Sequence, residues 1–348
     1  MIQETFLYPP KPQIGDRVAV LSPSSALPAV FPAPYELGLR RLRAFGLEPV
    51  EYPTTRQWNS SPRERAADIH AAFADPSIKA VIASIGGDDQ LKVLGCLDPE
   101  ILRANPKPFF GYSDNTNLLH FLWSLGIVGY HGGAVMIQWG RPGRMHPMTS
   151  ESLRRALFEH GAYELTLPEA YTDEEKDWKE PRALDNEPDM APADPWVWDG
   201  PAVRVAGPAW GGCLEIVDFQ LRASRYLGPL QAYQGAVLFL ETSEGLPSAK
   251  FVYRVLMCMG ERGLLQRFGA VMVGRPKAWS LDVRNRPDDK RRYREEQREA
   301  VLRALDEYNP HAPAVFNVDF GHTDPQVVIP HGGEVVVDAA ARSITVIY

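Results

Sequence analysis

The first half of the chain repeats one unit, in which a short apolar run enters a serine or glycine turn and then a helical pattern. The apolar runs lie at residues 17–21, 79–85 and 107–112. The helical patterns lie at residues 33–46, 63–73 and 115–125. Strands of this length that alternate with helices predict a parallel sheet with helices on both faces. We expect this α/β domain to span residues 1–165.

Residues 201–348 are interpreted as a second, smaller domain that is rich in strands. Apolar runs predict strands at residues 202–205, 236–240, 270–273 and 335–337. Helical spacing is visible at residues 253–260 and 295–308. The run at 282–299 mixes basic and acidic side chains, which is typical of a solvated loop and helix face.

Residues 166–200 separate the two domains and have a composition of their own. They contain five prolines, many acidic residues, and the tryptophans Trp178, Trp196 and Trp198. This composition predicts a long connecting loop, and loops of this length are usually functional or disordered. Because three tryptophans disfavour disorder, we expect this loop to be ordered.

The charge balance limits the classes of partner. The 348 residues include 37 basic and 44 acidic ones, which gives a formal net charge of −7. An acidic chain lacks the electrostatic footprint of a protein that binds nucleic acid polymers or an anionic membrane surface. No stretch approaches 18 uninterrupted apolar residues, so no transmembrane helix is expected.

The cysteines and the N-terminus indicate a reducing, cytoplasmic setting. Cys96, Cys213 and Cys258 are odd in number and far apart, which excludes a disulfide framework and a cysteine-based zinc site. Residues 1–16 show no basic region followed by an apolar stretch, the pattern of a secretory signal. No phosphate-binding loop, dinucleotide fingerprint or metal-ligand cluster is visible, so neither a cofactor nor a metal is expected.

The most informative segment is a buried strand that enters Gly111-Tyr112-Ser113-Asp114 and continues directly into a helix. A serine at such a sharp turn has the geometry of a nucleophile elbow, with its hydroxyl clear of the sheet. The amide of Asp114 and the positive end of the helix dipole would then face an oxyanion. The pattern alone also allows Ser113 to be only a helix cap.

A serine nucleophile needs a base, and the base needs an orienting carboxylate. His322 lies in a tight loop between Gly321 and Pro325, and Glu241 ends a fully apolar strand. The carboxyl end of such a strand is where ligands of α/β proteins bind. The pattern also allows His322 to be a loop histidine bonded to backbone, and Glu241 to be a helix cap or a solvated strand end. His131, in one of two His-Gly-Gly matches, is interpreted as structural.

A second strand-to-helix turn, Gly86-Gly87-Asp88-Asp89, can present backbone amides to an anion. Nucleotide kinases use a related Gly-Gly-Asp-Gly, but here Asp89 replaces the last glycine and would repel phosphate. We therefore expect Gly86 or Gly87 to supply a second oxyanion amide. Phosphate transfer from ATP is kept as a weaker alternative.

Together these pieces resemble the LD-carboxypeptidase family of serine peptidases across nearly the whole chain. The resemblance is carried, in order, by residues 85–89, 111–114, 130–133, 210–215, 238–241 and 321–322. It implies a Ser-Glu-His triad of Ser113, Glu241 and His322, and it implies the amides of Asp114 and Gly87 as oxyanion donors. It also implies a flavodoxin-like N-terminal parallel-sheet domain, a smaller β-rich C-terminal domain, a site between them, and a homodimer.

Within the family the chain is similar to the microcin C self-immunity branch, which cleaves aminoacyl-nucleotide conjugates. Residues 177–180 and 196–198 are similar to the longer connecting loop of that branch, where an aromatic ring stacks on the nucleobase. The resemblance implies this role for Trp178, and packing of the loop is the alternative. Cys213 stands where the family commonly has an asparagine associated with the aminoacyl group, and cysteine cannot supply an amide's donors and acceptor.

The sequence therefore predicts a cytoplasmic serine peptidase or amidase that acts on a small peptide or an aminoacyl-nucleotide conjugate. One alternative is an LD-carboxypeptidase that removes the terminal D-alanine of murein tetrapeptide in peptidoglycan recycling. A second alternative is a small-ligand binding protein that does not hydrolyse its ligand.

Overall fold

The computed structural model describes residues 6–180 and 182–348. In the first half the strands are β1 (Arg17–Leu21), β2 (Glu48–Glu51), β3 (Ile78–Ala83), β4 (Phe109–Gly111), β5 (Gly129–His131) and β6 (Ala162–Glu164). The helices there are α1 (Pro32–Ala44), α2 (Pro62–Ala74), α3 (Leu91–Leu94), α4 (Pro99–Ala104), α5 (Thr116–Ser124) and α6 (Pro147–Phe158). The connecting segment contains the short strands β7 (Ala170–Tyr171), β8 (Ala191–Pro192) and β9 (Val197–Asp199).

In the second half the strands are β10 (Arg204–Cys213), β11 (Val237–Glu241), β12 (Ala270–Gly274), β13 (Ala314–Val318), β14 (Ile329–His331), β15 (Glu334–Asp338) and β16 (Ser343–Ile347). The helices there are α7 (Leu214–Ala223), α8 (Ala249–Glu261) and α9 (Pro287–Tyr308). Short 3₁₀ turns lie at Leu27–Ala29, Ser113–Asn115, Leu230–Tyr233 and Leu265–Arg267, and a π-helical turn lies at Val135–Trp139.

Both halves contribute to one sheet, whose main order is β2-β1-β3-β4-β5-β14-β10-β11-β12-β13-β9. β1 to β5 are mutually parallel, and so are β10 to β13. β14 is antiparallel to β5 and parallel to β10, so the two parallel groups run in opposite directions and meet at β14. A branch of β15, β16 and β6 leaves from β10.

Proline positions account for many of the helix starts. α1, α2, α4, α6 and α9 each have proline in their first turn. Proline is suited to this position because the first helical amides have no intrahelical partner and its φ is already helical. The chain has 31 prolines among its 348 residues, and part of this number is therefore explained by helix starts as well as by turns.

The fold class is confirmed as mixed α/β, with a mostly parallel sheet in the N-terminal region and a smaller strand-rich C-terminal part. Two details differ from the sequence interpretation. The segment at 166–200 contains the short strands β7, β8 and β9 within its loops, and β9 pairs with β13. Helix α9 begins at Pro287, whereas helical spacing predicts its start at residue 295. Within the described residues, no helix is long and apolar enough to cross a membrane.

Candidate active site

Ser113 lies at the turn between β4 and α5 and has a left-handed backbone, with φ of 61°. A left-handed serine is strained, and such strain is typical of nucleophile elbows. Within the described part of the chain, its side chain makes no capping hydrogen bond to the helix that follows. The residue is partly exposed, whereas its neighbours Tyr112 and Asp114 are buried. The geometry therefore favours the elbow over the capping alternative.

Buried side-chain hydrogen bonds hold this turn in place. Asn115 Nδ2 donates to the carbonyl oxygens of Tyr112 and Ile85, both at 3.1 Å. Asn115 Oδ1 accepts from Gln90 Nε2 at 2.9 Å. These bonds join the loop after β4 to the loop after β3. Asn115 and Gln90 are not among the residues predicted for the site, although a polar residue next to the proposed nucleophile is a usable signal.

The carboxylate of Asp114 is fully buried beneath the turn. Its Oδ2 accepts from the hydroxyl of Ser24 and from the backbone amide of Gln90 at 2.9 Å. Its Oδ1 accepts from Asn117 Nδ2 at 2.8 Å. Burial raises the pKa of Asp114, although these donors oppose that shift. The side chain is thus an anchor, and it fixes the direction of the residue's backbone amide.

The two glycines after β3 have different surroundings. A Cβ on Gly86 would lie 2.9 Å from Ser113 Cβ and 3.0 Å from Ser113 Oγ, so only glycine fits against the serine. Gly87 instead lies against Ser24 and Ser25 in the loop after β1. Ser25 also donates its backbone amide to the carbonyl of Gly86 at 3.2 Å. The loops after β1, β3 and β4 therefore pack together around Ser113.

Glu241 and His322 form a buried pair at the ends of β11 and β13. His322 Nδ1 lies 2.5 Å from Glu241 Oε2, and their side chains are 8% and 1% exposed. Gly321 has φ of 94°, and a Cβ there would lie 2.6 Å from Glu241 Oε2. Glycine before the histidine is therefore what lets the carboxylate approach. This bond favours the orienting role of Glu241 over the capping and solvated alternatives.

Tyr112 brings the pair next to the serine turn. The ring centroids of Tyr112 and His322 are 4.9 Å apart in an edge arrangement. Tyr112 directly precedes Ser113, so the imidazole contacts the residue next to the candidate nucleophile. His131 lies on the opposite side of Glu241, with Nε2 3.6 Å from Oε1, and it is fully buried. It contacts the carboxylate from behind, which agrees with its interpretation as a structural residue.

The charges in this cluster shift the two pKa values in opposite directions. Burial lowers the pKa of His322, but the charge of Glu241 and the hydrogen bond to it prevail and raise the pKa to about 9. Burial raises the pKa of Glu241, but the neighbouring His322 and His131 hold it well below its usual range. The pair is therefore an imidazolium and a carboxylate at neutral pH.

Cys213 is at the end of β10 and is the register partner of Glu241 on β11. Its backbone amide donates to Thr116 Oγ1 at 3.2 Å, at the start of α5. Its Sγ lies 3.3 Å from Glu215 Oε2. Burial and this glutamate raise the pKa of the Cys213 thiol well above its usual value, so it is not a thiolate nucleophile.

Trp178 is partly buried in the connecting segment, with its ring 5.6 Å from that of Phe31 and tilted by 60°. Phe31 directly precedes α1. The same segment bonds to the loop that carries His322, because Thr172 and Asp324 exchange backbone hydrogen bonds of 2.7 and 2.9 Å. The segment is therefore attached to both halves of the molecule.

Comparisons with known proteins agree with this architecture. The sequence matches the LD-carboxypeptidase N-terminal domain over residues 18–132 and the LD-carboxypeptidase C-terminal domain over residues 206–337. A putative carboxypeptidase of Vibrio cholerae is 27% identical over 345 residues, which covers 96% of this chain and 95% of that protein. The microcin C7 self-immunity protein of Escherichia coli is 25% identical over 353 residues, which covers 99% and 97% respectively.

Among solved structures, the microcin C7 self-immunity protein in complex with aspartyl sulfamoyl adenosine superposes with a TM-score of 0.84 at 23% identity, and 98% of each chain is covered. This likeness concerns the fold, which extends over both halves of the chain. The sequence matches to both domains show that the chain belongs to the LD-carboxypeptidase family and is a hydrolase of the serine carboxypeptidase class.

Proposed function

We propose that this protein hydrolyses an amide bond in an aminoacyl-nucleotide conjugate or a small peptide, with Ser113, His322 and Glu241 as its catalytic triad. The observation that carries the proposal is the buried His322–Glu241 pair beside the strained turn of Ser113. A buried carboxylate at Nδ1 fixes the imidazole so that Nε2 can accept the serine proton.

In the proposed mechanism, Ser113 Oγ attacks the scissile carbonyl while His322 Nε2 takes its proton. Glu241 stabilises the imidazolium that forms. The backbone amides of Asp114 and Gly87 donate to the tetrahedral oxyanion, and the helix dipole of α5 adds to its stabilisation. His322 then protonates the leaving amine, and a water molecule hydrolyses the acyl-enzyme by the same route.

The connecting segment is proposed to select the substrate. We infer that Trp178 stacks on a nucleobase, since base–aromatic stacking contributes about 1–3 kcal/mol. We infer that Cys213, beside Glu241, lines the pocket for the acyl group. The family resemblance extends the proposal to a cytoplasmic homodimer.

The experiment is a substrate panel analysed by mass spectrometry, with aminoacyl sulfamoyl adenosine, murein tetrapeptide and an L-dipeptide. Ser113→Ala should lower hydrolysis of the preferred substrate by about 10³-fold or more, because it removes the nucleophile. Ser124→Ala is the matched control, since that hydroxyl donates to the Phe121 carbonyl at the end of α5. Hydrolysis by Ser113→Ala at the wild-type rate would contradict the triad. Release of D-alanine alone would move the substrate to murein peptides, and binding without any hydrolysis would favour the ligand-binding alternative.

A further inference from the structure

A second carboxylate lies at the free face of the candidate base. His322 Nδ1 is bonded to Glu241, so Nε2 is the ring nitrogen left for Ser113. Glu244 Oε2 lies 3.3 Å from this Nε2. The side chain of Glu244 is 56% exposed and belongs to the loop between β11 and α8. An ion pair at the nitrogen that must receive a proton has no use in the triad itself.

The other acidic side chains near His322 are already engaged. Glu215 Oε1 accepts from the amide and hydroxyl of Ser243 at 3.0 and 2.7 Å, and its Oε2 contacts Cys213 Sγ. Glu241 is buried between His322 and His131.

The groups that face the imidazole are drawn from several elements: Glu241 from β11, Glu244 from the loop after it, Glu215 from the start of α7, Tyr112 from the serine turn and, behind Glu241, His131 from β5. Glu244 is the exposed carboxylate of this set, so it is the one placed to meet a ligand.

Covalent geometry places one particular substrate group within reach of the Glu244 carboxylate. In an aminoacyl compound the α-nitrogen is two bonds from the carbonyl carbon, or about 2.5 Å away. The attacking oxygen stands about 3 Å from that carbon and within a hydrogen bond of Nε2. A free α-ammonium therefore falls in the volume that a carboxylate 3.3 Å from Nε2 can contact.

We propose that Glu244 is a specificity residue that binds the free α-ammonium of the acyl part of the substrate. This inference rests on the proposed function, and it narrows the substrates to those whose acyl residue has an unblocked amine. An acyl residue whose nitrogen is already in a peptide bond has no positive charge at that nitrogen for Glu244 to bind.

The same contact between Glu244 and the substrate also changes the protonation state of His322. Without substrate, Glu244 stabilises the imidazolium form of His322, which cannot accept a proton. An arriving ammonium engages Glu244 and brings a positive charge that favours the neutral imidazole, so the Nε2 proton of His322 passes to solvent water and Nε2 can then accept the serine proton. Substrate binding and activation of the base are thereby coupled.

The test uses the non-hydrolysing Ser113→Ala variant and two ligands, leucyl sulfamoyl adenosine and the analogue in which a hydroxyl replaces the α-ammonium. Calorimetry should show about tenfold or greater preference for the ammonium ligand, as expected for a charge-assisted hydrogen bond. Adding Glu244→Gln should reduce the preference to about twofold or less. Adding Glu296→Gln, which removes an exposed charge on α9, should leave it unchanged.

A second measurement needs no ligand. The NMR titration midpoint of His322 should fall by about half a pH unit or more in Glu244→Gln, because a carboxylate next to the imidazolium is lost. Equal affinity for the two ligands, a preference that survives Glu244→Gln, absence of binding, or an unchanged titration would each overturn the inference. Hydrolysis of leucyl sulfamoyl adenosine by the wild-type enzyme is followed separately. Retained ligand preference without hydrolysis would refute the proposed function and leave amine recognition standing.

Discussion

At the scale of single residues, the site depends on a histidine whose charge is set by its neighbours. The carboxylate of Glu241 outweighs burial and raises the pKa of His322 to about 9. The protonated form therefore prevails at neutral pH, whereas a general base must be deprotonated. The free enzyme therefore gains its proposed base as the pH rises through this value.

This charge balance predicts an alkaline pH profile. The kcat/KM of the wild-type enzyme, expressed per substrate molecule in its ammonium form, should increase with pH and level off above about 9. Glu241→Gln should move this rise to lower pH, since the anion that favours imidazolium is gone. It should also reduce the plateau by about 10³–10⁴-fold, because an amide does not stabilise the imidazolium in the transition state. Glu296→Gln should alter neither quantity, and a Glu241→Gln profile that rises at the wild-type pH would refute the pairing.

The sequence could suggest Ser113, Glu241 and His322 because each follows an apolar strand, and that signal is local. It could not suggest Glu244. This residue follows Glu241 by three positions, but its proposed role depends on its contact with His322, which is far along the chain. Similarly, the contact of Gly86 with Ser113 depends on how the loops after β3 and β4 pack. Such non-local contacts leave no periodicity to read.

At the scale of elements, the serine turn is held by its neighbours rather than by its own helix. The side chain of Gln90 forms hydrogen bonds with Asn115 and with the backbone amide of Leu118. The loop after β3 therefore holds the first turn of α5 in place. The amide of Cys213 reaches Thr116 from β10. Because these bonds fix the turn, its surroundings cannot compensate for a small displacement, and Ser113 would move with the turn.

Gly86→Ala tests this dependence. The new methyl group would lie 2.9 Å from Ser113 Cβ, so the serine must shift, and a misplacement of this kind costs about 10²-fold in kcat/KM. Gly95→Ala is the control, because its nearest neighbour is 3.7 Å away and its φ of −68° suits alanine. Full activity of Gly86→Ala, measured on the preferred substrate, would show that the turn adapts.

Elements were predictable where their burial is periodic. β1, β3 and α2 were anticipated closely because one face or both faces of each are apolar. The first turns of α9 were not, because they carry charge instead of an apolar stripe, although Pro287 at their start is a helix-start signal. Pairs one turn apart, Arg292 with Asp289 among them, support that part of the helix.

At the scale of the whole molecule, one sheet brings the candidate site residues from both halves together. Ser113 follows β4, whereas Glu241 and His322 follow β11 and β13 on the other side of β14. The pairing of β14 with both β5 and β10 was not predictable, because three residues contain no signal for their partners. The connecting segment is attached to the second half as well, because Thr172 and Asp324 exchange backbone hydrogen bonds.

Ion pairs to α9 also attach the connecting segment, so the contribution of this attachment to stability and to substrate binding can be measured. Lys290 Nζ lies 2.7 Å from Asp173 Oδ1 and 2.8 Å from Glu174 Oε1, with its side chain 12% exposed. Lys290→Ala should lower the free energy of unfolding by about 1–3 kcal/mol, since Arg294 still pairs with the buried Asp173. The freed segment should also be cleaved faster by trypsin, and KM should rise more than kcat falls, because the segment is proposed to bind substrate rather than to react.

Arg291→Ala on the same helix, with a side chain 67% exposed, should change stability by less than about 0.5 kcal/mol and leave KM as it is. If Lys290→Ala loses stability while KM is unaffected, the segment only braces the fold, and substrate selection must be sought elsewhere.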